Sequence, residues 1–213
     1  MTDDDLELRI AWEQHLGRSS ASLTWYESIV SRYRQAGRHY HGVRHVRWVV
    51  RHVVALAHVS DDLGAVIAAA FFHDVVYDPT RGDNEVASAE LADRALTELG
   101  WEPERRQHVE EMILATIDHD VDRVGCGADI QLLLAADLAV LAAAPAKYSD
   151  YVRGVRREYS HVSDDDWRAG RSAVLHGLLD RRHLFAPDLD LGAWEQRARA
   201  NITAELAMLG NEV

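Results

Sequence analysis

A chain of 213 residues holds enough material for one sizeable core or at most two small domains. With 47% hydrophobic and 27% charged residues it has the balance of a folded globular protein. Lys and Arg number 23 against 35 Asp and Glu, and the net charge of −12 argues against DNA or another nucleic acid polymer as a partner. A small phosphorylated ligand stays open, because a metal and a few arginines invert the local field. Cys126 is the only cysteine, so no intrachain disulfide and no thiolate metal site is expected. The acidic start, Met1-Thr2-Asp3-Asp4-Asp5, is the opposite of a signal peptide's basic one. No apolar run approaches the roughly 18 residues of a membrane helix. A cytoplasmic protein with no membrane partner is the expectation.

In chain order, nearly every segment has helical spacing. Leu6–Leu16 and Ser22–Ala36 are amphipathic, the second with Trp25, Ile29, Val30 and Tyr33 on one face. Gly42–Ala57, Asp61–Tyr77 and Asn84–Leu99 follow, the last ended by Gly100. Pro103 suits a first helical turn and opens a helix to about His119. Gly125-Cys126-Gly127 breaks the chain before Ile130–Ala144, which Pro145 stops, and Lys147–Ser160 is helical again. Ser163 followed by Asp164, Asp165 and Asp166 reads as an N-cap with acidic first-turn residues. Leu191–Leu209 is the last helix. No alternating strand pattern, internal repeat or low-complexity linker is present. The expectation is one all-α domain over residues 1–213, with a core at about 38–162 and helical segments packed on its outside.

Three signals carry chemistry. The run Ala65–Phe72 contains no polar side chain and ends at His73-Asp74. A carboxylate buried there needs a cation or a full set of hydrogen bonds. Asp137 is a solitary acid inside Ile130–Leu141, where the ordinary reading is a buried ion pair or a cap. Arg38-His39-Tyr40-His41-Gly42-Val43-Arg44-His45 places His41 and His45 four residues apart, on one face if the segment is helical. That pair is weak by itself in a chain with 12 histidines. His15, His52, His58 and His183 read as ordinary surface or interface residues. Together, imidazoles and carboxylates from three helices suit a divalent Mn, Fe, Zn or Mg ion.

The order His45…His73-Asp74…Asp137 resembles the HD-domain superfamily of metal-dependent phosphohydrolases. It is similar in particular to a bacterial group of predicted HD-type phosphohydrolases. The recurring words are Arg38-His39-Tyr40-His41…His45, Phe72-His73-Asp74-Val75-Val76-Tyr77-Asp78, Asn84-Glu85…Ser88-Ala89 and Thr116…His119. Ala136-Asp137-Leu138, Arg156-Arg157-Glu158-Tyr159 and Ala198-Arg199-Ala200-Asn201 complete the set, so the resemblance runs from about residue 22 onward.

The resemblance implies an HD-type helical bundle with added N- and C-terminal helices. It also implies one divalent ion (Mn, Fe, Zn, Mg or Ni), with room for a second, held by His45, His73, Asp74 and Asp137. His41 is the alternative first ligand, and otherwise a substrate contact. His119 is either a substrate or second-metal residue or a structural histidine beside Asp118 and Asp120. Asp78, one turn past Asp74 if the helix continues, is the candidate to orient or deprotonate water. In HD enzymes that hydrolyse the alarmone ppGpp an acidic pair occupies this place. Tyr77-Asp78 lacks one of the two acids, which speaks against that substrate. Asn84 and Glu85 are further catalytic candidates, or simply a helix start. Arg156, Arg157, Arg171 and Arg199 are phosphate clamps or structural ion pairs. Tyr148 and Tyr151 are expected to pack against the body of the fold.

The activity implied is hydrolysis of a small phosphorylated molecule, a nucleotide or phosphomonoester, by a chain that is monomeric or a homodimer. A di-iron HD-type oxygenase and a non-catalytic nucleotide-binding module are the alternatives.

Overall fold

The computed structural model describes residues 3–123 and 126–211. Among them are ten α-helices and no strand: α1 (Asp3–His15), α2 (Ser20–Tyr33), α3 (Val43–Ala55), α4 (Leu63–Phe72), α5 (Asn84–Glu98), α6 (Pro103–Ala115), α7 (Ala128–Leu138), α8 (Pro145–Glu158), α9 (Asp164–Leu179) and α10 (Trp194–Asn211). No single helix among these residues is long and apolar enough to cross a membrane. The all-α expectation is met. The break expected at Gly125 lies partly outside the described residues.

Local chemistry starts half of the helices. Ser19 caps α2 by accepting from the Ser22 amide, and Ser163 caps α9 through the Asp166 amide, as its acidic neighbours suggested. Asp62 caps α4 through the Ala65 amide and takes a two-point contact from Arg105 at 2.6 and 2.8 Å. Pro103 and Pro145 both stand in first turns, where the missing N–H costs nothing. Pro145 therefore opens α8 as well as ending what precedes it. α7 stops at Leu138 and tightens into a 3-10 turn over Ala139–Ala142. Its loose carbonyls are taken up from α10: Asn201 donates to Leu141 and Ala143, and Arg197 to Ala142.

Two hydrophobic clusters share α7. The first gathers α1 to α6 around α4, whose residues from Gly64 to Phe72 are all buried. The second joins α8, α9 and α10 with the turn at Leu184–Leu189. Leu132, Leu133 and Ala136 of α7 face the first cluster, and Leu134 and Ala135 face the second. Asp137 thus stands at the seam.

α1 packs on the body of the fold through one face, with Leu6 and Ile10 exposed on the other. Leu8 and Trp12 are fully buried, and the Trp12 ring meets Phe71 edge-on at 5.1 Å. Two expectations change. α3 begins at Val43, so His41 precedes it and does not share a helical face with His45. α4 ends at Phe72, not Tyr77. Pro79 has no N–H to give the Val75 carbonyl and disfavours helix at Asp78. Arg38 takes the Asp74 and Val75 carbonyls instead, at 2.6 and 2.9 Å.

Candidate metal centre

His73 sits at the C-terminal end of α4, still hydrogen-bonded through its amide to Ala69. Its Nδ1 lies 3.0 Å from the Ala70 carbonyl, which can only accept. That bond fixes the proton on Nδ1 and leaves the Nε2 lone pair directed away from it. Arg38 then bridges the end of α4 to the preceding loop by also donating to the His41 carbonyl at 3.0 Å. Gly42, the residue before α3, lies so close to this loop that a Cβ there would stand 3.2 Å from the Tyr33 carbonyl. This close packing brings His45, in the first turn of α3, over the end of α4.

Four side chains converge. His45 Nε2 lies 3.0 Å from His73 Nε2, 3.2 Å from Asp74 Oδ2 and 3.1 Å from Asp137 Oδ1. His73 Nε2 lies 3.2 Å from Asp74 Oδ2 and 3.6 Å from Asp137 Oδ1. The ligand atoms of His45, His73 and Asp74 all fall within 4.8 Å of one another, and Asp137 joins by reaching both imidazoles. Donors about 2.1 Å from one ion stand about 3.0 Å apart along an octahedral edge and about 3.4 Å along a tetrahedral one. The observed spacings bracket those values, so the residues fit a divalent ion. The two imidazoles are 1% exposed, while Asp74 and Asp137 are 16% and 13% exposed. The carboxylate side is the one that solvent reaches.

The electrostatics agree. Burial raises the Asp74 carboxyl, but His73, His41 and hydrogen bonds from His45 and His73 outweigh it and hold it well below the usual range. Asp137 is likewise raised by burial and pulled well below by His73, His119 and His45. Burial works against charge on His45 and His73, yet the two carboxylates drive both imidazoles upward. The site thus favours two anionic carboxylates with positive charge between them, supplied by protons or by a metal ion.

Around this set lies a second layer. His119 has a left-handed backbone, φ 50°, uncommon outside glycine. Arg181 holds its carbonyl at 2.8 Å, and its Nε2 meets Asp137 Oδ2 at 2.7 Å. Asp137 therefore spans His45 and His73 with one oxygen and His119 with the other. On the opposite flank Glu158, with a fully buried side chain, accepts from the Tyr40 and His41 amides at 2.7 and 2.9 Å. It also takes His41 Nδ1 at 2.7 Å and the Tyr77 hydroxyl at 2.9 Å. Burial raises its carboxyl, but the His41 ring and the two amides outweigh that and bring it to about 2. His41 in turn stacks on Tyr77, and its ring centre is 5.5 Å from that of His45.

Other candidates fall elsewhere. With α4 ended, Asp78 is not one turn beyond Asp74. It is exposed, and its carboxylate accepts from the Thr80 amide and hydroxyl. Asn84 closes the same loop by bonding both the amide and the carbonyl of Asp78. Glu85 lies in the first turn of α5, where a negative charge suits the helix dipole. Arg156 is a structural cap, bonded to the Tyr159 and Val162 carbonyls and to Asp164. Arg171 and Arg199 are likewise committed to Glu205 and Glu195. Tyr148 is buried with its hydroxyl on Glu205.

Glu158 was the residue missed. One signal existed: a carboxylate in the last turn of a helix is on the wrong end of the dipole, so it needs another reason to be there. Its reach to the 40–41 amides depends on Gly154, one turn earlier. A Cβ at Gly154 would lie 3.0 Å from the Tyr40 Cβ and 3.3 Å from the His39 carbonyl. Gly154→Ala is expected to push α8 from this loop and destabilise the protein by about 1–3 kcal/mol. A thermal melt checks it: an unchanged Tm would show that the loop has slack.

Neither a family model, nor a curated protein, nor a solved structure matches this chain.

Proposed function

We propose that the chain is a metal-dependent phosphohydrolase of the HD type, acting on a small phosphorylated molecule. One observation carries this reading: two imidazole nitrogens and two carboxylates from α3, the end of α4 and α7 meet at 3.0–3.6 Å with their carboxylate side toward solvent. His45, His73, Asp74 and Asp137 would hold the ion. A divalent ion with open positions polarises a phosphoryl oxygen and lowers the pKa of bound water. Proton handling moves from Asp78 to His41. With Nδ1–H given to Glu158, its Nε2 is left as an acceptor facing no bonded partner among the described residues. Glu158 orients the ring and Tyr77 fixes Glu158.

Metal content by elemental analysis tests the site. About one equivalent of Mn, Fe or Zn per chain is expected, with Asp74→Ala losing nearly all of it and the activity of a phosphate-release screen. Full metal content in both Asp74→Ala and His73→Ala would remove the assignment.

A second reading rests on the bridging posture of Asp137 between His45, His73 and His119. A carboxylate so placed can serve two ions, and two irons per chain would favour the oxygenase over the hydrolase.

A further inference from the structure

A cavity of about 290 Å³ opens between α3 and α8, with His45 in its wall. Its lining includes Arg44, Lys147, Arg153 and Arg157 against a single acid, Asp150. In a chain of net charge −12 this is a local inversion of sign. Most arginines here are bound to carboxylates or backbone carbonyls, and Arg153 pairs with Asp150. Arg44 and Arg157 make no ion pair or hydrogen bond through their side chains among the described residues. Lys147, the chain's only lysine, makes no ion pair or hydrogen bond among the described residues and stands 5.1 Å from the centre of the Trp48 ring. Among the described residues, Arg32, Arg94 and Arg182 are the other Arg or Lys side chains without such partners, and they stand on α2, α5 and the turn after α9.

Two further observations mark the same wall. The buried side-chain nitrogens and oxygens lacking a hydrogen-bond partner among the described residues are Arg38 Nε, His45 Nδ1 and Trp48 Nε1. His45 and Trp48 both line this cavity. Trp48 and Tyr151 add aromatic surface beside the cations. Guanidinium forks and an ammonium together are the set that grips a phosphate at several oxygens. Three unneutralised cations at one mouth repel each other until an anion arrives.

We propose that this cavity is a second anion site, which takes a phosphate-bearing group of the same ligand whose reacting phosphoryl lies at the metal centre. The substrate is then a small molecule with two separated phosphate groups. The cavity assignment stands on its own residues; the bridging part rests on the phosphohydrolase reading above.

Two titrations test it. Calorimetry of the metal-free protein with inorganic pyrophosphate is expected to show one site, weakened by added salt. The Arg44→Ala/Arg157→Ala double variant should bind at least tenfold more weakly, and Lys147→Ala at least threefold. Arg182→Ala, an exposed cation elsewhere, should match the wild type. These are exposed side chains, and circular dichroism melts confirm that the variants fold. No pyrophosphate binding, or equal binding by the double variant, overturns the anion site, whatever the metal centre does. The second titration uses metal-loaded protein with methylphosphonate and a series of alkylene diphosphonates of increasing length. A diphosphonate of matching span should bind at least tenfold tighter than methylphosphonate, through the raised effective concentration of its second group. That gain should vanish in the double variant. No gain at any length, with pyrophosphate binding intact, overturns the single bridging ligand. Failure of the chain to take up metal would instead sink the phosphohydrolase reading and leave the first titration untouched.

Discussion

His41→Gln keeps the metal content of the wild type and lowers phosphate release by about 10²–10⁴-fold, the range that a positioned proton acceptor contributes. The expectation follows from what His41 touches. Its Nδ1 is committed to Glu158 at 2.7 Å, and its ring stands beside that of His45 without belonging to the set that meets at 3.0–3.6 Å. Removing it therefore spares the four converging side chains. Glu158 is a positioning residue, and Glu158→Gln separates that role from bulk folding. Gln still accepts from the Tyr40 and His41 amides, but it no longer stabilises a charged imidazole. Turnover should fall while metal content holds. A His41→Gln protein with wild-type turnover, or one that has lost its metal, would each take His41 out of the proton-handling role.

The largest loss of stability should come from Arg171→Ala. Arg171 on α9 and Glu205 on α10 form a two-point pair at 2.8 and 3.0 Å, with side chains 8% and 2% exposed. The Tyr148 hydroxyl donates to the same carboxylate, and the Arg171 guanidinium lies 5.1 Å from the centre of the Tyr151 ring. Burial lowers the guanidinium pKa, but the neighbouring Tyr151 and Glu205 outweigh it and push it up. Truncating the arginine leaves Glu205 buried with only a phenol for company. The cost expected for such an uncompensated charge is about 3–5 kcal/mol. For a chain of this size that is a fall in Tm of about 10 °C. Replacing both partners, as Arg171→Met with Glu205→Leu, should recover most of it, because the pair itself contributes little beyond mutual compensation. A single variant that melts within about 3 °C of the wild type would show that Glu205 finds water or another donor.

Much of this was legible in one dimension. The run Ala65–Phe72 has no polar side chain to place in water, so it had to be the buried helix, and His73-Asp74 at its end had to meet a compensating charge. Ser163 with three aspartates had to start a helix. What misled was continuity. The apolar pattern of α4 runs on through Val75 and Val76, and only Pro79, acting on the residues before it, announces the stop. Asp78 was attached to the site by assuming that the helix went on. Nothing in the Leu6–Leu16 segment says which surface Trp12 will cover. It packs against Phe71 across 59 residues of sequence, a contact only the folded chain reveals.

By itself, then, the amino-acid sequence determined the all-helical class, most helix starts and the residue types able to hold a metal. Those depend on neighbours within a turn or two. Tertiary structure decided which of the 12 histidines converge, that Asp137 faces the seam between two cores, that Asp78 lies away from the site, and that Glu158 holds the histidine beside it. Those choices depend on how α3, α4, α7 and α8 cross. The crossing is set by close approaches such as those at Gly42 and Gly154 and by the arginine that claims the end of α4. Such contacts join residues far apart in the chain, and spacing along the sequence carries no record of them.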